Sequence, residues 1–162
     1  MQIVVTMLTE LEHDADRWRR LYLEGLIRDD ILEFSKIHEV RVMRLFVEML
    51  RTRVGSPLSI ASMARDLQVS HTTLMRYLEI LEALHIVFVV RPYHRNIARA
   101  ILKEPKVYFY DTGLVLGDTP SSDGARFENA CATMLLSHVR FQQDALGKTV
   151  GLHFIKNKEK KN

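Results

Sequence analysis

The feature that most constrains this 162-residue chain is a pair of short helical segments with almost nothing between them. Ser59 is predicted to cap the first segment, Gln68 and Val69 form a tight turn, and Ser70 is predicted to cap the second segment. The leucines of the second segment fall on one face: Leu74, Leu78, Leu81 and Leu84. This spacing predicts two helices packed through a common core and joined by a tight turn.

Two runs of β-branched and aromatic residues follow the helix pair. Residues 86–90 and 107–110 have the length and composition of strands, and Pro92 and Asn96 lie between them. We therefore expect a hairpin with a long basic connection. A further helix at about 36–54 precedes the pair, with Gly55 suited to its C′ position. Helix, short helix, tight turn, helix and paired strands is the order of a winged helix-turn-helix.

The flanking segments complete a mainly α fold with a small β component (α+β). A capping box at Thr9 opens a predicted helix over about 9–34, and Asp111 is expected to cap a short helical piece. We interpret 119–123 as a loop and 125–140 as a helix. One face of that helix is expected to hold Phe127, Cys131, Met134, Leu135 and His138. Residues 151–155 resemble a strand.

This order predicts three segments: an N-terminal helical segment at 1–34, a winged helix-turn-helix at 35–110, and a partial α/β domain at 111–162. The last helix would need a cover for the apolar face that holds Phe127 and Met134. We expect the winged helix, the N-terminal helix or a second copy of the chain to provide it.

Charge is distributed unevenly along the chain. The net charge is +3, yet residues 85–107 hold five basic residues against one acidic residue, and the last ten residues hold four against one. The remainder of the chain therefore has a net charge of −4. Two basic patches on an acidic body favour binding to nucleic acid, because each cation that neutralises a phosphate releases a counterion. The alternative is that these residues only solvate a loop and a tail.

The candidate DNA-binding residues lie on the second helix of the pair and on the strand connection. They are His71, Thr72, Arg76, Arg91, His94, Arg95, Arg99 and Lys103. Side chains in the first turn of a recognition helix reach phosphates or base edges, and a basic wing follows the backbone. Glu79 and Glu82 would repel the DNA backbone, so a winged helix that serves as a protein-interaction or oligomerisation scaffold stays open as the alternative.

Several function classes find no support in the sequence. The longest apolar run, residues 86–90, is far shorter than the roughly 20 residues that span a bilayer, so we expect no membrane partner. A single cysteine, Cys131, and the absence of a leader pattern point to a reducing cytoplasm. Gly147, Lys148 and Thr149 resemble the end of a P-loop, but Gln142 stands where the motif needs glycine. We expect no catalytic centre and no cofactor in this chain.

Three ordered strings carry a family resemblance: residues 91–96 (RPYHRN), 103–114 (KEPKVYFYDTGL) and 124–129 (GARFEN). They resemble a family of bacterial and archaeal AAA-type P-loop ATPases. The resemblance implies an ATPase module ahead of a winged helix and a C-terminal domain of unknown function with a restriction-endonuclease-like fold. This chain would then be a non-catalytic C-terminal portion, with the ATPase module as partner. Glu128 matches an acidic residue of the nuclease-like fold, but the metal-binding partners that the fold implies are missing, so we expect no metal site and name Glu128 only as a candidate ligand. Its favourable position at a helix start also explains it.

Overall fold

The structure is a computed structural model that describes residues 17–19, 21–22, 24–25, 37–94, 103–116 and 120–155. It is α+β and mainly helical with a small sheet, which confirms the predicted fold class. The chain divides into two units, Met1–Leu45 and Phe46–Asn162. The three segments predicted from the sequence stay a prediction.

In the first unit, the described residues between 17 and 25 are helical, as the helix predicted at 9–34 requires. Trp18 and Tyr22, one helical turn apart, stack with 5.1 Å between ring centroids. The rest of that predicted helix lies outside the described residues. Helix α1 (Ile37–Arg51) begins in this unit and ends in the second.

The segment after α1 runs back beside residues 105–107. Gly55 adopts φ +73°, a left-handed conformation that favours glycine. Its N–H donates to the carbonyl oxygen of Val107 at 3.3 Å, and the N–H of Leu58 donates to that of Pro105 at 2.7 Å. The turn after α1 is therefore fixed by backbone hydrogen bonds to residues distant in sequence.

The predicted helix pair is present as α2 (Ile60–Asp66) and α3 (His71–Ala83). The turn between them passes through Gln68 at φ +55°. Ser70 caps α3, since its hydroxyl accepts the N–H of Thr73 at 3.0 Å. Ser59 occupies the N-cap position of α2, but its hydroxyl makes no capping bond, so this predicted side-chain cap is wrong.

The inner face of α3 is buried as the leucine spacing predicts. Leu74, Leu78 and Leu81 are fully buried, while Leu84 is half-buried at the C-cap. Tyr77 is buried as well, which the leucine pattern did not predict. Phe46, Val47, Leu50 and Met63 are also buried and belong to the core.

The predicted strands form an antiparallel pair, β1 (Val87–Pro92) and β2 (Lys106–Phe109), in which Val87 is opposite Phe109. A third strand, β3 (His153–Phe154), pairs in parallel with β1, and the sheet order is β2-β1-β3. The C-terminal strand predicted at 151–155 therefore joins the sheet of the winged helix.

Helix α4 (Pro120–Asp144) begins earlier than expected, so the loop predicted at 119–123 is wrong for its described residues. Proline suits the first position of a helix, because the N–H that it lacks would have no helical partner there. Serine and aspartate suit the first turn. Ahead of it, Asp111 caps a 3-10 turn (Thr112–Leu114) as predicted, since its carboxylate accepts the N–H of Gly113 at 2.8 Å.

The face on which α4 packs also differs from the prediction. Asn129 and Ala132 are buried, whereas Phe127 and Met134 are each 73% exposed and Leu135 and His138 are exposed. Cys131 is half-buried. The expected cover from the winged helix is therefore wrong for Phe127 and Met134. The reason is that α4 docks on β2 through polar residues, as described below.

Candidate nucleic-acid interface

The first two turns of α3 present the α3 face, which we define as His71, Thr72 and Arg76. All three side chains are exposed. The capping bond of Ser70 fixes the start of the helix, and the buried leucines fix its rotation. Among the residues that the structure describes, none forms an ion pair or side-chain hydrogen bond with Arg76. The helix thus holds these side chains in place and leaves Arg76 available to a ligand.

A pocket of about 330 Å³ lies beside the α3 face, between the start of α2, α3 and the ends of β1 and β2. Three predicted binding residues, His71, Arg91 and Lys103, line it together with Glu104. Its apolar wall consists of Leu58, Ile60, Ala61, Met75, Leu78 and Pro105. The fold therefore brings basic residues from α3, from β1 and from the segment just before β2 to one concave surface.

Arg91 shares its surroundings with an acidic side chain of α3. Burial raises the pKa of Glu82 above its usual value, while the charge of Arg91 and a hydrogen bond with the backbone of Val89 act in the opposite direction. Glu82 therefore offsets part of the positive charge that Arg91 brings to the pocket. This weakens the attraction for phosphate that Arg91 alone would provide.

Two of the predicted residues, Arg95 and Arg99, lie outside the described residues. His94 is half-buried just after β1, and Lys103 is exposed just before β2. The structure therefore describes the two ends of the basic connection. One end follows β1 and the other precedes β2.

Two residues that border the wing were not predicted from the sequence. Tyr93 is 64% exposed, and its N–H donates to the carbonyl oxygen of Phe154 at 2.8 Å. Its ring stands 6.1 Å from that of His153, which is exposed opposite Arg91 in the sheet. Only the pairing of β3 with β1 brings these two rings together, and no local sequence pattern indicates that pairing.

Glu128 holds α4 against β2. Its carboxylate accepts from Lys106 Nζ at 3.0 Å and from the Tyr108 hydroxyl at 2.8 Å. Burial, and then the hydrogen bond to Glu128, raise the pKa of Tyr108. Within the described ranges, no three metal-ligating side chains come together. Glu128 therefore has a structural role in linking α4 to β2.

Asn129 completes this contact and was not recognised from the sequence. It is fully buried. Its Oδ1 accepts the N–H of Phe109 at 2.8 Å, and its Nδ2 donates to the carbonyl oxygen of Phe109 at 2.9 Å and to Thr112 Oγ1 at 3.1 Å. We call the set Lys106, Tyr108, Phe109, Glu128 and Asn129 the α4–β2 junction. No local sequence pattern indicated this contact, since the burial of Asn129 results from the packing of α4 on β2.

A family model described as a domain of unknown function (DUF8612) matches residues 5–118. The chain belongs to this family. The match includes α1, the helix pair and the strands β1 and β2, so the α3 face and its pocket lie inside the DUF8612 domain. The described part of the chain contains no helix with both the length and the apolar character that crossing a membrane requires.

Two curated relatives are the uncharacterized proteins Mb2031c of Mycobacterium bovis and Rv2008c of Mycobacterium tuberculosis. Each is 32% identical over 102 residues, which cover 63% of this chain and 23% of the relative. The matched segment is thus about a quarter of the length of either relative. A solved structure of a mutant of Staphylococcus aureus MepR covers 78% of this chain and 80% of its own, at 12% identity and a TM-score of 0.30.

Proposed function

We propose that the DUF8612 domain of this chain is a winged-helix module that binds duplex DNA mainly through its phosphates. The observation that supports this most is the convergence of His71, from the α3 face, with Arg91 and Lys103 around one pocket. The N-terminal turn of a helix also attracts anions, because its free N–H groups and the helix dipole point toward the ligand.

The charges favour contacts with the DNA backbone over base recognition. Arg76 is the single Lys or Arg of α3, a helix described along its whole length, and Glu79 and Glu82 follow it. Sequence-specific recognition relies on side chains that form paired hydrogen bonds with base edges, and arginine is the most common of them. One arginine followed by two glutamates is a poor set for that purpose, whereas backbone contacts need only well-placed positive charge.

We further propose that the module belongs to a longer cytoplasmic AAA-type ATPase and is itself non-catalytic. The resemblance of residues 91–96, 103–114 and 124–129 to that family supports this. The relatives are about four times as long as the segment they share with this chain, which leaves room for an ATPase module.

The test is binding of a fluorescent duplex by anisotropy at several salt concentrations. Arg76→Ala and Arg91→Ala should each weaken binding about equally for unrelated duplex sequences, and each should reduce the salt slope by about one unit. Arg140→Ala is the charge-matched control. Arg140 contacts the ring of Tyr110, which in turn contacts His85, just after the C-terminal end of α3. Arg140 therefore lies toward the opposite end of α3 from Arg76.

The protein-interaction function is the second candidate, and the two glutamates of α3 favour it. An absence of duplex binding at low salt, with the protein folded, would contradict the DNA proposal and select the interaction module. Salt-sensitive binding that Arg140→Ala weakens as much as Arg76→Ala does would contradict the placement of the site on the α3 face.

A further inference from the structure

The outer surface of α4 exposes large apolar side chains that the fold leaves uncovered. Phe127 and Met134 are each 73% exposed, Phe141 is 58% exposed and Leu135 is 54% exposed. Together they leave roughly 500 Å² of mostly apolar surface in water, judged from the sizes of such side chains. The largest apolar patch of an ordinary monomer is of this size, and such patches often mark an interaction site.

The spacing of these residues indicates the occupant. Phe127, Met134 and Phe141 are seven residues apart, so they form one stripe along α4, drifting by only about 20° at each step. The stripe is symmetric about Met134. When a second copy of α4 lies antiparallel with Met134 opposite Met134, each Phe127 faces the other copy's Phe141. A two-fold interface requires this self-complementarity, whereas an unrelated partner does not.

Between Phe127 and Phe141, the charged residues of α4 lie away from the stripe. Glu128 and Arg140 are about 120° around the helix from Met134 and contact Lys106 and Tyr110 of their own chain. Two copies of the stripe can therefore meet without burying an unpaired charge. Antiparallel pairing also sets the two helix dipoles in opposite directions, which is favourable, whereas parallel pairing aligns them.

We propose that two copies of this chain associate through the α4 stripe (Phe127, Met134, Leu135 and Phe141) in an antiparallel pair centred on Met134. A standard stable interface buries about 800 Å² per partner around an apolar centre with a polar rim. The stripe supplies more than half of that area and all of its apolar centre. Side chains such as Ser137 and His138, exposed on the same helix, supply part of the rim. This inference does not depend on DNA binding.

Sedimentation velocity without DNA tests the association. The parent chain should sediment as a dimer, and Met134→Glu should raise the dimer Kd at least about tenfold, because it places two carboxylates opposite each other at the centre. Ile155→Glu is the matched control, since Ile155 is an 85% exposed apolar residue outside α4. Met134 is also mostly exposed, so circular dichroism should show both variants folded.

Cross-linking tests the direction of pairing. In a Cys131→Ala background, Met134→Cys should cross-link to itself with a short bis-maleimide. Phe127→Cys and Phe141→Cys should each fail alone and cross-link when mixed, because 14 residues of helix separate the two positions by about 21 Å. A parent chain that stays monomeric at the highest concentration measured overturns the proposal. Self-cross-linking of Phe127→Cys alone also overturns it, since this would indicate parallel pairing.

Discussion

The α4–β2 junction and the α3 face contain similar kinds of polar side chain. In the junction these side chains have partners within the protein, whereas on the α3 face they are exposed. In the junction, each polar group has an intramolecular partner: Glu128 has Lys106 and Tyr108, and Asn129 has both backbone groups of Phe109. On the α3 face, the side chains are exposed, and Arg76 has no ion-pair partner among the described residues.

This difference separates polar groups that stabilise the fold from charged groups that stay available to a ligand. A buried polar group that is fully hydrogen-bonded stabilises one packing arrangement, and losing one partner exposes the other to a large desolvation cost. An exposed cation contributes little to folding and keeps its charge for a ligand. The variants below test whether the two regions can be changed independently.

Asn129→Ala should have the largest effect on folding. It leaves the N–H and the carbonyl oxygen of Phe109 without partners in a buried setting and removes packing volume, so we expect a loss of about 3 kcal/mol in the free energy of unfolding. Urea denaturation measures it. Ser137→Ala, at an exposed position of the same helix, is the control and should cost less than about 0.5 kcal/mol. A loss below about 1 kcal/mol for Asn129→Ala would show that the junction does not anchor α4.

Gly55→Ala should have the second-largest effect on folding, because Gly55 lies against Glu128 of the junction. A Cβ at this position would stand 2.8 Å from the carboxyl atoms of Glu128, whereas at Gly147, which also has positive φ, it would meet nothing within 4 Å. Both substitutions cost about 1 kcal/mol in backbone conformation. Gly55→Ala should cost roughly 1 kcal/mol more, because the displaced carboxylate loses Lys106 and Tyr108.

A double-mutant cycle isolates that second contribution. In a Glu128→Ala background, the cost of Gly55→Ala should fall to that of Gly147→Ala, as measured by urea denaturation. Equal costs of Gly55→Ala with and without Glu128 would mean that the turn and the helix are not coupled.

The parts of the fold that could be predicted are those with local causes. The Ser70 cap, the turn at Gln68 and the strand pair follow from N-cap chemistry, a short linker and β-branched composition, each contained within a few residues. The clustering of His71, Arg91 and Lys103 then follows from the winged helix-turn-helix order. The grouping of these three residues could therefore be predicted from the sequence, although the pocket that they line and the counter-charge of Glu82 could not.

The orientation of α4 and the partner of β3 depend on contacts between distant residues. Helical periodicity identified the apolar face of α4, but the face that packs is decided by Asn129, which binds the backbone of Phe109 20 residues away. Arg91 and His153 pair in the sheet, although the whole of α4 lies between them along the chain. A single sequence contains no local pattern for either contact, so an apolar stripe was taken for a core-facing stripe.

Lys106→Gln and Arg76→Gln should separate the two regions by function. Lys106→Gln removes an ion pair and a cation–π contact with Phe154 at 5.4 Å, and we expect it to lower stability by up to about 1 kcal/mol with duplex affinity unchanged. Arg76→Gln should leave stability within about 0.5 kcal/mol and weaken duplex binding several-fold. Equal losses of duplex affinity in both variants would mean that the α3 face and the junction form one binding surface.

Glu82 tests the comparison from within α3, because it is a half-buried acid beside the exposed face. Burial raises its pKa above the usual 4.5, so the folded state favours the protonated form and ionisation at neutral pH lowers stability. Glu82→Gln should therefore raise the free energy of unfolding at pH 7, and the gain should disappear at about pH 3.5, where glutamate is protonated in both states. Urea denaturation at the two pH values measures this small effect, with Glu79→Gln at an exposed position of the same helix as the control. A loss of stability in Glu82→Gln at pH 7 would instead mean that attraction to Arg91 outweighs burial, and that Glu82 anchors the wing as Glu128 anchors α4.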